Sequence, residues 1–140
     1  MADELIPGTK LTISRTVEET DLASTISADP DDAFPRVFAT SRMVAMMELA
    51  AARLMRPHLA AGEMSVGVTV DIAHEAATPP GAEIRATAGF REREGKLFVF
   101  DVTAEDPAGI VGRGTHKRAI VATERIVAGA ERRRMAKGSA

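Results

Sequence analysis

The sequence predicts an α+β domain in which one long helix lies across a curved, five-stranded antiparallel sheet. Three observations lead to this fold class. A helical repeat of apolar residues occurs once, between Phe34 and Leu59, and the chain on either side of it alternates with period two. Turns rich in Pro and Gly separate the alternating segments. An antiparallel sheet can bury one face and leave the other in water, so a single helix of about 18 residues is enough to cover the apolar face of the sheet.

The helix is predicted to begin near Thr40 or Ser41, both acceptable N-caps, and to end at Pro57 and Gly62. At about 100° per residue its arginines fall on one side and its apolar residues fill the opposite arc. Glu48 lies on the margin of that apolar arc, where a carboxylate needs a partner, a proton or a functional reason. The arc contains Met43, Val44, Met46, Met47, Ala50, Ala51, Leu54 and Met55.

Five strands are predicted from the alternation. The second strand carries His74 at the end of the row expected to face the helix, whereas strict alternation places Gly67 on the opposite row. In the third strand Ile84, Ala86, Ala88 and Phe90 are expected to point inward. The predicted strand ranges are Gly8–Val17, Val66–Glu75, Ala82–Arg91, Lys96–Glu105 and Ile110–Thr123.

A chain of 140 residues is long enough for one domain, which we assign to residues 1–127. Residues 128–140 contain Arg132-Arg133-Arg134 in a Gly/Ala-rich context and are predicted to form a flexible, solvated tail. Since nothing in the sequence covers the edge of the sheet, we expect pairing through an edge strand and therefore a homodimer.

Composition excludes several classes of function. The net charge of −2 gives no positive electrostatic field that would attract nucleic acid. Five Phe, with no Tyr or Trp, provide few aromatic side chains on which bases could stack. The absence of cysteine excludes thiol chemistry and gives no sign of an oxidising compartment. The acidic N-terminus does not resemble a signal peptide and no apolar run is long enough for a membrane span, so we expect a cytoplasmic protein without membrane contact. No metal-ligand cluster or nucleotide fingerprint is present.

Four local motifs carry a resemblance to a known family. They are Phe34-Pro35-Arg36-Val37-Phe38-Ala39-Thr40, Met47-Glu48, His74-Glu75-Ala76-Ala77-Thr78-Pro79-Pro80-Gly81 and Gly114-Thr115-His116-Lys117-Arg118-Ala119. Together they resemble the fluoroacetyl-CoA thioesterase family of hotdog-fold proteins, from about Phe34 to Val121. The resemblance implies a curved sheet wrapped around a central helix, acyl-thioester sites at a dimer interface, and no cofactor beyond the CoA that the substrate carries.

By this resemblance Thr40, Glu48 and His74 form the catalytic set, Gly67 offers a backbone N–H near the thioester oxygen, and Phe34 gates the pocket. The sequence departs from the fluoroacetyl-specific pattern at two positions that border the acyl pocket. Ser41 stands where a glycine follows the threonine, and Leu49 stands where an aromatic residue follows the glutamate. The resemblance therefore implies hydrolysis of a short-chain acyl-CoA and leaves the preference for a fluorinated acyl group open.

The residue types fit this chemistry, because thioester hydrolysis needs a nucleophile or activated water, a proton shuttle and an oxyanion donor. Glu48 either attacks the carbonyl or activates water, and His74 moves protons. If both lie in the helix, Thr40 and Glu48 are about 12 Å apart along its axis, so either a loop folds back or a second subunit completes the site. Thr40 could instead cap the helix, Gly67 could mark a bulge, and His58 and His116 are interpreted as surface residues.

Cations for the CoA phosphates are sought among Arg118, Lys117 and Arg36, with solvated surface charge as the alternative for each. Two other functions remain compatible with the same pocket. The first is a non-catalytic acyl-CoA or small-ligand binding module, and the second is a hydratase acting on an enoyl-CoA.

Overall fold

The computed structural model describes residues 4–138. Five strands form one antiparallel sheet: β1 (Lys10–Thr16), β2 (Glu63–His74), β3 (Glu83–Glu94), β4 (Leu97–Asp106) and β5 (Gly109–Ala122). Their order across the sheet is β1-β3-β4-β5-β2, so β1 and β2 are the two edges. Helix α1 (Thr40–Met55) crosses one face, and the predicted fold class is confirmed.

The core lies between α1 and the sheet, as the two periodicities predict. The methionine-rich arc of the helix is buried, and the inward row of β3, from Ile84 to Phe90, meets it. Short turns connect the strands, with Gly95 at positive φ between β3 and β4. The segment between β1 and α1 contains three short 3-10 turns, Glu19–Asp21, Ala23–Thr25 and Pro30–Asp32. No helix within residues 4–138 is long and apolar enough to cross a bilayer.

The C-terminal segment differs from its prediction. Thr123–Gly138 forms a second helix, α2, which follows β5 directly and was not predicted. The prediction gave too much weight to the run of arginines and to Gly129, although Ala, Glu, Arg, Met and Lys are all good helix formers. The described core residues lie between Leu5 and Ile120, and α2 makes few contacts with the sheet. The domain bounds of residues 1–127 and the flexibility of the C-terminal segment stay predictions.

Candidate active site

Thr40 and His74 form one pair of polar residues at the N-terminal end of α1. Ala39 occupies the N-cap position and no side chain caps the helix, so the interpretation of Thr40 as the cap is wrong. The Thr40 hydroxyl instead lies 2.8 Å from Nδ1 of His74, the last residue of β2. Nε2 of His74 is buried and has no hydrogen-bond partner among the described residues. A buried ring nitrogen without a partner is rare, which marks this atom as a candidate contact for a ligand.

A cleft of about 310 Å³ opens beside this pair. Phe34 does not line it; this side chain is half exposed and borders a neighbouring hollow of about 140 Å³, so its role as a gate stays a prediction. The next residue, Pro35, does line the cleft. The other residues lining the cleft are Ala23, Val37, Phe38, Glu75, Ala76 and Ala77.

Glu48 belongs to a second group, near the middle of α1. Its Oε2 accepts a hydrogen bond from Nη1 of Arg118 at 3.3 Å, and 42% of its side chain is exposed. Arg118 is only 6% exposed and is fixed by Ser65, which accepts from Nε at 3.0 Å through Oγ and from Nη2 at 2.9 Å through its carbonyl. Burial is the main cause that lowers the pKa of Arg118, and Glu48 partly offsets it. The carboxylate is therefore held by a rigid cation while one side stays accessible.

Gly67 lies directly against this carboxylate. A Cβ at this position would be 2.5 Å from Oε2 of Glu48 and 3.2 Å from Cε1 of His116, so any larger residue requires these side chains to shift. The β2–β5 register shifts between Gly67 and Thr69, which leaves Val68 as an extra residue. Because one extra residue reverses the parity of a strand, Gly67 faces α1 as His74 does. The expectation from strict alternation is wrong at this point, and the bulge reading of Gly67 is close to what the strand does.

His116 is the residue that the sequence interpretation missed. It was expected at the surface, yet it is 1% exposed. Its Nδ1 lies 2.8 Å from the carbonyl oxygen of Thr69, and its Nε2 lies 3.1 Å from Nη1 of Arg118 and 4.0 Å from Oε2 of Glu48. Burial, followed by the charge of Arg118, lowers the pKa of His116, although the Thr69 carbonyl and Glu48 oppose the shift. The alternation of β5 could have indicated that His116 is buried, since His116 and Arg118 lie on the same row as Ile120.

The two groups lie apart within one chain. Eight residues of helix separate Thr40 from Glu48, about 12 Å at 1.5 Å per residue. Seven residues of strand separate Gly67 from His74, about 23 Å at 3.3 Å per residue. The structure thus brings Thr40 to His74, and Glu48 to Gly67 and Arg118, but it does not bring Glu48 to His74 within a single chain.

The cations considered for the CoA phosphates are engaged elsewhere. Arg36 pairs with Glu19, and Lys117 donates to Glu94 at 2.8 Å. Arg118 is buried beside Glu48 and does not face solvent, so it is better placed to orient the carboxylate than to bind a phosphate. Within residues 4–138 no group of three His, Asp or Glu side chains could hold a metal ion.

Comparison with solved structures defines the class of protein. A thioesterase superfamily member from Thermus thermophilus superimposes with a TM-score of 0.87 over 98% of both chains, at 24% identity, which shows the fold. A fluoroacetyl-CoA thioesterase superimposes with a TM-score of 0.88 at 36% identity, covering 93% of this chain and 98% of that one. A variant of that enzyme in complex with fluoroacetate and CoA matches at 36% identity and a TM-score of 0.82, over 86% of this chain and 98% of that one. The chain is a hotdog-fold protein.

Sequence comparison defines the family more closely. The family model described as fluoroacetyl-CoA-specific thioesterase matches residues 10–124. The fluoroacetyl-CoA thioesterase of Streptantibioticus cattleyicolor is 44% identical over 93 residues, which are 66% of this chain and 67% of that protein. The chain belongs to the family of fluoroacetyl-CoA-specific thioesterases.

Proposed function

We propose that this protein hydrolyses a short-chain acyl-CoA to the free acid and CoA. The observation that carries the proposal is the buried Nε2 of His74, which has no partner among residues 4–138 and lies beside Thr40 at an open cleft. Family membership supports the substrate class, because the curated relative is a fluoroacetyl-CoA thioesterase and a variant of such an enzyme was solved with fluoroacetate and CoA. The acyl group itself is expected to be small.

The catalytic set becomes complete only when a second copy is added. His74 and Glu48 must both reach the same thioester, so their reactive atoms have to lie within about 7 Å of each other, each within about 3.5 Å of the reacting C–S group. Within one chain the distances along α1 and β2 are too long. The partner copy is therefore the source of one of the two groups.

Strand β2 is the surface through which we propose that the copies pair. It is a 12-residue edge strand, and its Val68 and Val70 are 51% and 46% exposed. Such an open, apolar edge is a template for another strand. If β2 pairs antiparallel with its own copy around a two-fold axis at Asp71, with Val68 left out of the pairing as the bulge residue, His74 of one protomer lies opposite Gly67 of its partner. That register brings the Thr40–His74 pair of one protomer to the Glu48 group of the other.

The chemistry follows from these positions. Glu48 accepts a proton from the water that attacks the carbonyl carbon, or it attacks that carbon itself and forms an anhydride that water then hydrolyses; on either route the C–S bond breaks. The protonated ring of His74 donates from Nδ1 to the Thr40 hydroxyl and can give the proton on Nε2 to the departing thiolate, which returns the ring to its neutral form. A backbone N–H at Gly67 is the proposed donor to the developing oxyanion, since the neighbouring bulge interrupts the strand ladder there.

A panel of short acyl-CoAs tests the proposal, with thiol release followed by a thiol reagent. We expect hydrolysis of at least one substrate, and a fall in kcat of about a hundredfold or more for both Glu48→Gln and His74→Ala. Absence of thiol release from every substrate, fluoroacetyl-CoA included, would overturn the assignment as an enzyme. Binding without turnover in calorimetry would then favour the non-catalytic module.

The acyl preference and the cellular location are narrower proposals. Leu49 is exposed and stands beside Glu48, where the fluoroacetyl-specific pattern has an aromatic residue. We therefore expect this protein to discriminate less between fluoroacetyl-CoA and acetyl-CoA than a fluoroacetyl-specific enzyme does. The ratio of kcat/KM for these two substrates measures this directly. The cysteine-free composition supports a cytoplasmic location.

A further inference from the structure

We propose that His116 is a positioning residue that, as a neutral ring protonated on Nδ1, holds Arg118 and through it the carboxylate of Glu48. The inference rests on the proposed function of Glu48. It assigns a task to a buried histidine that does not line the cleft beside His74. It also explains why two nitrogen atoms, one on a ring and one on a cation, lie at hydrogen-bond distance.

The tautomer follows from the partners of the ring. Nδ1 lies 2.8 Å from the carbonyl oxygen of Thr69, which can only accept, so Nδ1 carries a proton. Nε2 lies 3.1 Å from Nη1 of Arg118, which can only donate, so Nε2 offers its lone pair. Both requirements are met by one neutral tautomer. A doubly protonated ring would direct N–H against N–H and lose the contact.

The position of Glu48 depends on this contact. Nη1 of Arg118 is shared between Nε2 of His116 and Oε2 of Glu48, at 3.1 and 3.3 Å. Ser65 accepts from the other two nitrogens of the guanidinium, and His116 is the acceptor for Nη1 on the side away from Glu48. Without this acceptor, one N–H of Nη1 is left unpaired in a buried position, so we expect the whole guanidinium to shift towards another acceptor and the carboxylate of Glu48 to move with it. Since catalysis depends on placement to within about 1 Å, this change should lower kcat more than KM.

Nitrogen NMR on the wild-type protein labelled with 15N-histidine tests the tautomer without any assay of activity. The sequence has three histidines, and the His116 signals are identified by their loss in His116→Gln. At pH 7.5 we expect a protonated Nδ1 and an unprotonated Nε2. A proton on Nε2, alone or together with one on Nδ1, would overturn the proposal whatever the protein hydrolyses.

Two matched substitutions test the positioning role. In His116→Gln the side-chain oxygen can reach the place of Nε2 and accept from Arg118, whereas in His116→Asn the shorter amide can donate to Thr69 but cannot reach Arg118. We expect His116→Asn to lower kcat by about tenfold or more with KM within about twofold, and His116→Gln to recover at least about a third of the wild-type kcat. His58→Gln, on the turn after α1, is the control histidine and should leave both parameters unchanged.

A double-mutant cycle completes the test. If His116 acts through Arg118, the loss caused by His116→Asn should disappear in an Arg118→Met background. Equal losses in both backgrounds, or equal kcat values for the Asn and Gln variants, would contradict the proposal. An inactive wild-type protein would instead count against the proposed function, and the NMR result would still decide the tautomer.

Discussion

Replacing Gly67 by alanine should separate activity from stability. An added Cβ would be 2.5 Å from Oε2 of Glu48, while an ordinary C···O contact needs about 3.3 Å, so the carboxylate has to move by about 0.8 Å. Oε2 is the far end of a flexible side chain, and such a shift costs little folding free energy. It does displace the group that we assign to the reaction. A displacement of about 1 Å can cost about a hundredfold in rate, so we expect kcat to fall by about thirtyfold or more.

The assay measures thiol release and thermal unfolding on the same preparations. Gly67→Ala should unfold within about 3 °C of the wild type, since alanine also removes backbone entropy from the unfolded chain. Gly89→Ala on β3 is the matched control, because its Cβ would meet the flexible side chain of Lys10 at 3.4 Å and the carbonyl oxygen of Asp101 at 3.9 Å, both ordinary contacts. The control should keep the wild-type rate. A folded Gly67→Ala protein with kcat within twofold of the wild type would refute the placement of Glu48 at this glycine.

Three further predictions concern the pair, the dimer and the response to pH. Thr40→Val keeps the shape but removes the hydrogen bond to Nδ1 of His74, and we expect kcat to fall by about tenfold with KM little changed; an unaltered kcat would exclude a role for the hydroxyl. Val70→Lys places a charge in the centre of the proposed β2 pairing, so sedimentation should show a shift towards monomer with a parallel loss of turnover, and a fully active monomer would contradict the composite site. Burial lowers the pKa of His116 below its ordinary 6.5, and the charge of Arg118 adds to this shift, while the carbonyl of Thr69 and the carboxylate of Glu48 oppose it. The unfolded chain therefore binds the proton at higher pH than the folded protein, and the free energy of unfolding should fall as pH drops below about 6.5. This fall should be smaller in His116→Gln, as chemical denaturation at several pH values can measure.

The fold could be predicted from two periodicities, the helical repeat of apolar residues in α1 and the period-two alternation of the strands. The apolar arc of α1 and the inward row from Ile84 to Phe90 are decided locally, by side chains that must leave water. The helix at Thr123–Gly138 was missed because composition pointed to a solvated segment and no apolar stripe showed the helical repeat.

The site could be predicted only in part. Residue type singled out Glu48 and His74, but the partner of each depends on contacts that sequence spacing does not contain. The bulge at Val68 turns Gly67 towards the helix, and the alternation of apolar and polar residues in the sequence does not indicate where such a bulge lies. His116 was misjudged because the basic residues beside it suggested a surface, although a buried arginine on the same row of β5 gives the histidine an interior partner.

The central claim is that each active site takes His74 from one chain and Glu48 from another, and mixing two inactive variants tests it most directly. His74→Ala and Glu48→Gln are purified separately, unfolded together and refolded as a mixture, with each variant refolded alone as the control. Random pairing makes about half of the dimers mixed, and each mixed dimer contains one site with both residues intact, so we expect about a quarter of the wild-type activity. Activity in the mixture no higher than in either variant alone, with mixed dimers present, would contradict the claim.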